Sequence, residues 1–273
     1  MKRTLLAAAL CAAFAAPAVS FAAQEEASPL TANIGLFSSY RFRGIDQTFG
    51  KSALQGGFDY AHASGFYLGN WNSNVNEGAG YPGGNLEMDF YGGYKTSFGD
   101  LGLDLGAIYY YYPGSEARGV SGGANNGTVD NKEVYVGASW KFVSLKYSYA
   151  VDDYFATRAP SGEKTRGTSY LDLSANYDLG NGWGVNAHVG RLDYKNFSNA
   201  DYTDWKLGVT KDVNGWIVGV AYVGTNANGS CPWTTSNPYC FANSVDNGNN
   251  ASADAKFKDA GRGIAVVSVS RTF

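Results

Sequence analysis

The chain has 273 residues, a formal net charge of −3 and no basic tract, a balance that excludes a nucleic-acid partner held through phosphate contacts. Its 36 glycines, 20 tyrosines and 15 phenylalanines stand well above ordinary usage, and the lack of long leucine-rich amphipathic stretches excludes a helical bundle.

The first element is "MKRTLLAAALCAAFAAPAVSFAAQEEA". Lys2 and Arg3 precede an apolar stretch from Leu5 to Ala16, and Ser20-Phe21-Ala22 fits a cleavage site, so residues 1–22 read as a secretory signal peptide. The stretch is short and broken by Pro17, which argues against a membrane anchor. Leu10 before Cys11 argues against a lipoprotein. Cleavage leaves a short periplasmic segment at 23–29, a barrel over 30–273 and a formal charge of −5.

From Leu30 onward the sequence reads as about twelve strands, because apolar residues keep one parity and polar residues the other. The first strand, 30–44, sets Ala32, Ile34, Leu36, Tyr40 and Phe42 against Asn33, Gly35, Arg41 and Arg43. The third, "FYLGNWNSNV", fits either parity; the reading adopted puts Tyr67, Trp71 and Val75 outward and Asn70, Asn72 and Asn74 inward. In the fourth, Leu86, Met88, Phe90 and Tyr94 oppose Glu87, Asp89 and Lys95, and in the fifth Leu103, Leu105, Ala107, Tyr109 and Tyr111 oppose Asp104, Gly106 and Tyr110. The sixth sets Val134, Val136, Ala138, Trp140 and Phe142 against Glu133, Tyr135, Ser139 and Lys141; the eighth sets Leu171, Leu173, Ala175, Tyr177 and Leu179 against Asp172, Ser174, Asn176 and Asp178. Each is about ten residues long, enough to cross a bilayer obliquely.

Connections after even strands are tight: 62–65, 99–100, 143–144, 180–182 and 212–215. Those after odd strands are longer: 44–51, 76–85, 113–131, 153–168, 194–203 and 224–261. This sorting has no purpose in a water-soluble sandwich, but it is the pattern of an outer-membrane barrel with short periplasmic turns and long external loops. Aromatics gather at both strand ends, with Trp140, Phe142, Tyr177, Trp183, Trp216 and Phe273 beside the short turns. Tyr40, Phe42, Tyr109, Tyr111, Trp205 and Tyr222 lie beside the long loops, as two interfacial girdles require. Cys231 and Cys240, in the longest loop of an exported chain, are expected to pair; two cysteines with no histidine nearby are too few for a metal.

The final strand, "AVVSVSRTF", alternates to its last residue. It is expected to close the sheet against the first strand, since lipid tolerates no open edge. Arg271 breaks the apolar parity and is expected to snorkel to the headgroups. Val267, Val269 and Phe273 look like the C-terminal signal read by the barrel-assembly machinery.

Four stretches, "YRFRGIDQTFGKSALQGGFDY" (40–60), "SGFYLGNWNSNV" (64–75), "LEMDFYGGYKTSFGDLGLDLG" (86–106) and "YTDWKLGVTK" (202–211), resemble the TorF-like family of porins of Gram-negative bacteria. The resemblance implies an outer-membrane barrel with a pore, and it brings no substrate and no functional residues to place.

Catalytic chemistry finds few candidates. His62 falls in a short turn and His188 on the inward face of the ninth strand; no constellation with a nucleophile is legible, and no cofactor is expected. "DNGNNASAD" (246–254) offers oxygens without regular calcium-ligand spacing.

The expected fold is all-β, a transmembrane antiparallel up-and-down barrel. The expected function is passive diffusion of small hydrophilic solutes or ions across the outer membrane, among its lipids. A barrel enzyme of lipid hydrolase or protease type, or a closed barrel with binding loops, are the alternatives. The expected pore lining is a basic wall of Arg41, Arg43 and Arg262 facing an acidic wall of Glu87, Asp89, Glu133 and Asp152. A folded-in loop would plug so narrow a bore.

Overall fold

The computed structural model describes residues 28–117, 127–197, 199–231, 237–245, 251 and 254–273. The expected signal peptide at 1–22, residues 23–27 of the segment after it, and most of the polar run 246–254 lie outside these residues.

Twelve strands form one closed antiparallel barrel. They are β1 (Leu30–Phe37), β4 (Ala53–Ala61), β5 (Phe66–Asn74), β6 (Leu86–Phe98), β7 (Leu101–Tyr111), β8 (Asp130–Trp140), β9 (Val143–Ala150), β10 (Ser169–Gly180), β11 (Trp183–Asp193), β12 (Tyr202–Val213), β13 (Trp216–Thr225) and β16 (Ile264–Thr272). Each pairs with its neighbour in sequence, and β16 returns to β1. Four short strands lie in the external loops: β2 (Arg41–Phe42) with β3 (Ile45–Asp46), and β14 (Cys240–Ala242) with β15 (Phe257–Asp259).

The seam explains the alternating C-terminal run. Asn33 to Phe37 pair with Thr272 to Ser268, and the last rung is made by Phe273 itself. Its N–H donates to the Ala32 carbonyl at 2.8 Å, and the Ala32 N–H donates to its carbonyl at 3.1 Å. Every strand edge is thereby paired, which a sheet in lipid requires.

The outward face is apolar around the wall. Phe58, Leu68, Leu105, Val136, Leu145, Leu173, Leu207, Val220 and Val267 are all exposed. Side chains of this size each forfeit about 1.5–3 kcal/mol when left in water, so this surface is built for lipid. Trp140, Phe142, Tyr177, Trp183, Trp216 and Phe273 are exposed at the short-turn end, and Trp205 and Tyr222 near the long loops. Arg271 lies outward, its guanidinium 5.5 Å from the Trp216 ring centre and 5.1 Å from that of Phe273. The tight turns follow from their residues: Asn181-Gly182 and Asn214-Gly215 all have positive φ, the pair of left-handed residues that a two-residue hairpin needs.

Three sequence expectations are corrected. The third barrel strand has the opposite parity: Tyr67, Ser73 and Val75 are buried inside, while Phe66, Leu68 and Asn74 are exposed outside. The outward asparagines are tolerated because they bond to one another and to the wall. Asn72 Nδ2 donates to Asn70 Oδ1 at 2.6 Å and Asn70 Nδ2 to the Asp89 carbonyl at 3.0 Å. The turn between β8 and β9 is Lys141-Phe142 rather than 143–144, with Lys141 at φ 54°. The first strand stops at Phe37, seven residues before its expected end, and the chain then enters the barrel.

Candidate functional site

The segment between β1 and β4 decides what the lumen can do. Its residues Ser39 to Arg41 and Arg43 to Thr48 are buried, although a loop beyond the membrane would ordinarily be wet. Strands β2 and β3 make a minimal hairpin in which Phe42 pairs with Ile45, and Arg43 and Gly44 at its tip have φ of 48° and 79°. A Cβ at Gly44 would run into Thr225 and Asp204, so the tip lies against the β12–β13 wall. The hairpin therefore crosses the bore from one wall to the other.

Its footing is ionic and backbone-mediated. The Asp46 N–H donates to the Ala260 carbonyl at 2.9 Å, and the Asn76 N–H to the Gln47 carbonyl at 2.7 Å. Arg41 Nη1 donates to the carbonyls of Ala260 (3.0 Å) and Arg262 (3.1 Å), while Asp46 lies 3.6 Å from Arg41 and 3.5 Å from Lys258.

At the tip, Arg43 makes two parallel bonds to Glu133 of β8, at 3.0 and 2.7 Å, and a third to the Tyr154 hydroxyl at 2.8 Å. Its guanidinium also sits 4.3 Å from the centre of the Tyr170 ring. Residue exposures of 3% for Arg43 and 2% for Glu133 make this a buried pair. Burial works against the charge on Arg43, but Glu133 and the hydroxyls of Tyr154 and Tyr110 outweigh it and hold its pKa well above the ordinary arginine value. The planar fork suits arginine and would not suit lysine.

Aromatic rings fill the space around the hairpin. Tyr81 and Tyr112 stack at 3.8 Å, and Phe155 packs edge-on against Phe42 and Tyr81. Tyr40 donates to Glu87 at 2.8 Å and meets Trp71 at 5.4 Å. The external half of the barrel is thus a packed core.

A cavity runs from Arg43 and Tyr40 at the plug to Thr31 and Thr272 at the periplasmic end. One side of it carries an ionic belt. Lys95 of β6 pairs with Asp104 of β7 at 4.0 Å, and Asp104 also accepts from Tyr67 at 2.7 Å. On β10 to β12, His188 Nδ1 lies 2.9 Å from Asp172 and Nε2 lies 2.7 Å from Asp204. Ser174 donates to Asp172 at 2.6 Å, and Tyr170 to Asp204 at 2.8 Å. Serine, histidine and aspartate do meet here, but not as a nucleophilic triad. Both imidazole nitrogens face carboxylates, and the Ser174 proton points to Asp172, so no nitrogen is left to take it. Among the described residues, the His62 ring bonds within its own turn, to Ser64 at 2.6 Å.

Arg43 and Glu133, expected on facing walls, touch each other. Arg41, Arg43, Glu87, Asp89 and Glu133 are all buried in and around the plug, with Arg43 and Asp89 also bordering the lower cavity. Arg262 is exposed and touches the plug through its carbonyl alone. Asp152 is exposed at the rim, 3.4 Å from Lys132, because the chain leaves β9 there for the outside. Tyr40 and Phe42 belong to the plug and not to the outer girdle. Cys231 and Cys240 are bonded, with Cα atoms 5.3 Å apart. Sequence reasoning missed the hairpin, since the alternation of "RFR" reads as more strand, and the His188 bridge, which only the pairing of β10, β11 and β12 assembles.

The chain matches, over residues 22–273, the family model described as a bacterial protein of unknown function (Gcw_chp), and it belongs to that family. No curated protein matches it. Among solved structures it is similar to the NanC porin, at 11% identity and a TM-score of 0.49, covering 89% of this chain and 98% of that one. It is similar to the KdgM porin, at 8% identity, a TM-score of 0.49 and coverages of 89% and 98%. The outer membrane protein OprD from Pseudomonas aeruginosa gives 10% identity, a TM-score of 0.37 and coverages of 91% and 66%. Likenesses at these scores carry no argument about activity.

Proposed function

We propose that this member of the family is a non-enzymatic channel of the bacterial outer membrane, passing small hydrophilic solutes or ions, with the hairpin at 41–46 as its external gate. The observation that carries this reading is the division of the lumen. A lipid-facing barrel encloses a cavity that reaches the periplasmic end, and the hairpin at 41–46, latched at its tip to Glu133 and packed among the rings of Tyr81, Tyr112 and Phe155, stands between that cavity and the outside. A barrel meant only as a scaffold has no need of an ionised lower bore.

Several parts of the reading rest on sequence alone. Kinship with the TorF-like porins rests on the four stretches quoted above. Export rests on the signal peptide at 1–22, and recognition by the barrel-assembly machinery on Val267, Val269 and Phe273.

Conductance of the purified protein in planar bilayers tests the proposal. Current steps that scale with salt support it. A second reading, a closed barrel whose external loops bind a partner, is favoured by the dense external packing of Tyr81, Tyr112 and Phe155. It wins if a fully folded barrel never conducts.

A further inference from the structure

The belt in the lower lumen leaves two of its lysines without an ion pair among the described residues. Its four carboxylates are committed: Asp104 to Tyr67 and Lys95, Asp172 to Ser174 and His188, Asp204 to Tyr170 and His188, and Asp59 to Tyr91 at 2.6 Å. Two lysines on the same wall are not. Lys146 of β9 lies over the Tyr135 ring at 3.8 Å, and Lys206 of β12 has no ion pair or hydrogen bond; neither has a carboxylate within 4.0 Å among the described residues. Both are half-buried and on the inward parity of their strands. An ammonium brings three donors and no acceptor, so these two groups, though carboxylates lie in the same belt, keep hydrogen-bond donors free to face the bore.

The strands that complete the ring leave them room. Between β12 and β4 the ring is completed by β13, β16 and β1, whose inward residues include the small Gly219, Ala221, Ser268, Ser270 and Gly35 beside the larger Phe37 and Ile217. Lys146 and Asp172 line the space on one side of Ser270, and Lys206 with Asn176, Asn186 and Thr210 the space on the other. Lys146 pairs in register with Asp172, and Lys206 with His188, so the lysines flank the Asp172–His188 bridge. Three strand spacings separate them, roughly 14 Å along the wall. Asp172 and Asp204, locked onto His188 between them, repel an anion less than free carboxylates would.

We propose that Lys146 and Lys206 form a binding site for small carboxylate-bearing organic anions, each ammonium taking one carboxylate, and that the channel selects for such solutes. This deepens the channel reading and rests on it for the word "selects", though binding is separable from conduction.

The test uses the full-length barrel, folding being checked by the gel shift on heating, with glutarate as probe and neutral glutaramide as its uncharged counterpart. Glutarate is titrated by calorimetry against the detergent-solubilised protein, and independently as a blocker of current in bilayers. Glutarate should bind and glutaramide should not. Lys146→Gln and Lys206→Gln should each weaken binding about tenfold or more, as loss of a charge-assisted hydrogen bond does, while Lys146→Arg and Lys206→Arg should retain it. Reversal potentials in a KCl gradient should shift toward cation preference in the double glutamine variant. Equal binding of glutaramide, or unchanged glutarate affinity in the double glutamine variant, overturns the site. A barrel that binds glutarate through these lysines yet never conducts keeps the site and removes the channel reading; one that conducts with unchanged selectivity and no binding does the reverse.

Discussion

Replacing Arg43 with glutamine should unlatch the hairpin. The variant loses both bonds of the Glu133 pair, the bond to Tyr154 and the ring contact with Tyr170. Among the described residues it leaves the Glu133 carboxylate buried with Asn131 Nδ2, at 3.1 Å, as its hydrogen-bond partner. Removing one member of a buried pair costs about 3–5 kcal/mol, most of it from the stranded charge. At about 1.4 kcal/mol per tenfold, the preference for the inserted hairpin falls by between about a hundredfold and a few thousandfold. Arg41, Asp46 and Lys258 still hold its base, so the tip swings rather than the whole loop leaving. In planar bilayers the variant should spend far more time in the conducting level than the wild type. Arg43→Met with Glu133→Leu should not, because an apolar pair of similar volume is close to neutral where a stranded charge is not. Identical open times for Arg43→Gln and wild type, with identical thermal unfolding, would refute the latch.

Gly44→Ala should act in the same direction but less strongly: φ is 79° and a Cβ meets Thr225 and Asp204, a strain on the order of 1–3 kcal/mol, visible as more frequent openings. Deleting Phe273 removes the last rung of the seam with Ala32 and should lower the yield of heat-modifiable barrel in the outer membrane; normal yield would contradict the role given to that rung. Cys231→Ser with Cys240→Ser should assemble normally, since the bridge lies in the loop between β13 and β16, yet lose about 2–3 kcal/mol of local constraint, read as faster protease nicking within 226–263.

The wall was legible because lipid reverses the usual economy of exposure. Outward positions in the middle of β6, β7, β8 and β10 face lipid and are apolar, so period two stands out in residues such as Leu103, Leu105, Val134, Val136, Leu171 and Leu173. Strand β5 misled because its outward Asn70 and Asn72 satisfy themselves against each other and the backbone, a solution that depends on the strands alongside. The plug was illegible for a different reason. Tyr40, Arg41, Phe42 and Arg43 keep strand alternation while the chain turns inward at Ser38-Ser39, and nothing local reports that Glu133, ninety residues away, is waiting as a partner. Parity gives a face and not a neighbour. It therefore suggested two walls facing across a passage where Arg43 and Glu133 in fact touch.

The most direct test of a hairpin-gated channel is solute entry into liposomes carrying the folded protein, measured by swelling with glycine and arabinose, for the wild type and for a variant whose 41–46 segment is replaced by Gly-Ser repeats. The account predicts slow swelling with the wild type and markedly faster swelling with the replacement, both barrels showing the same heat-dependent gel shift. Equal rates for the two, or no swelling with either, would contradict it.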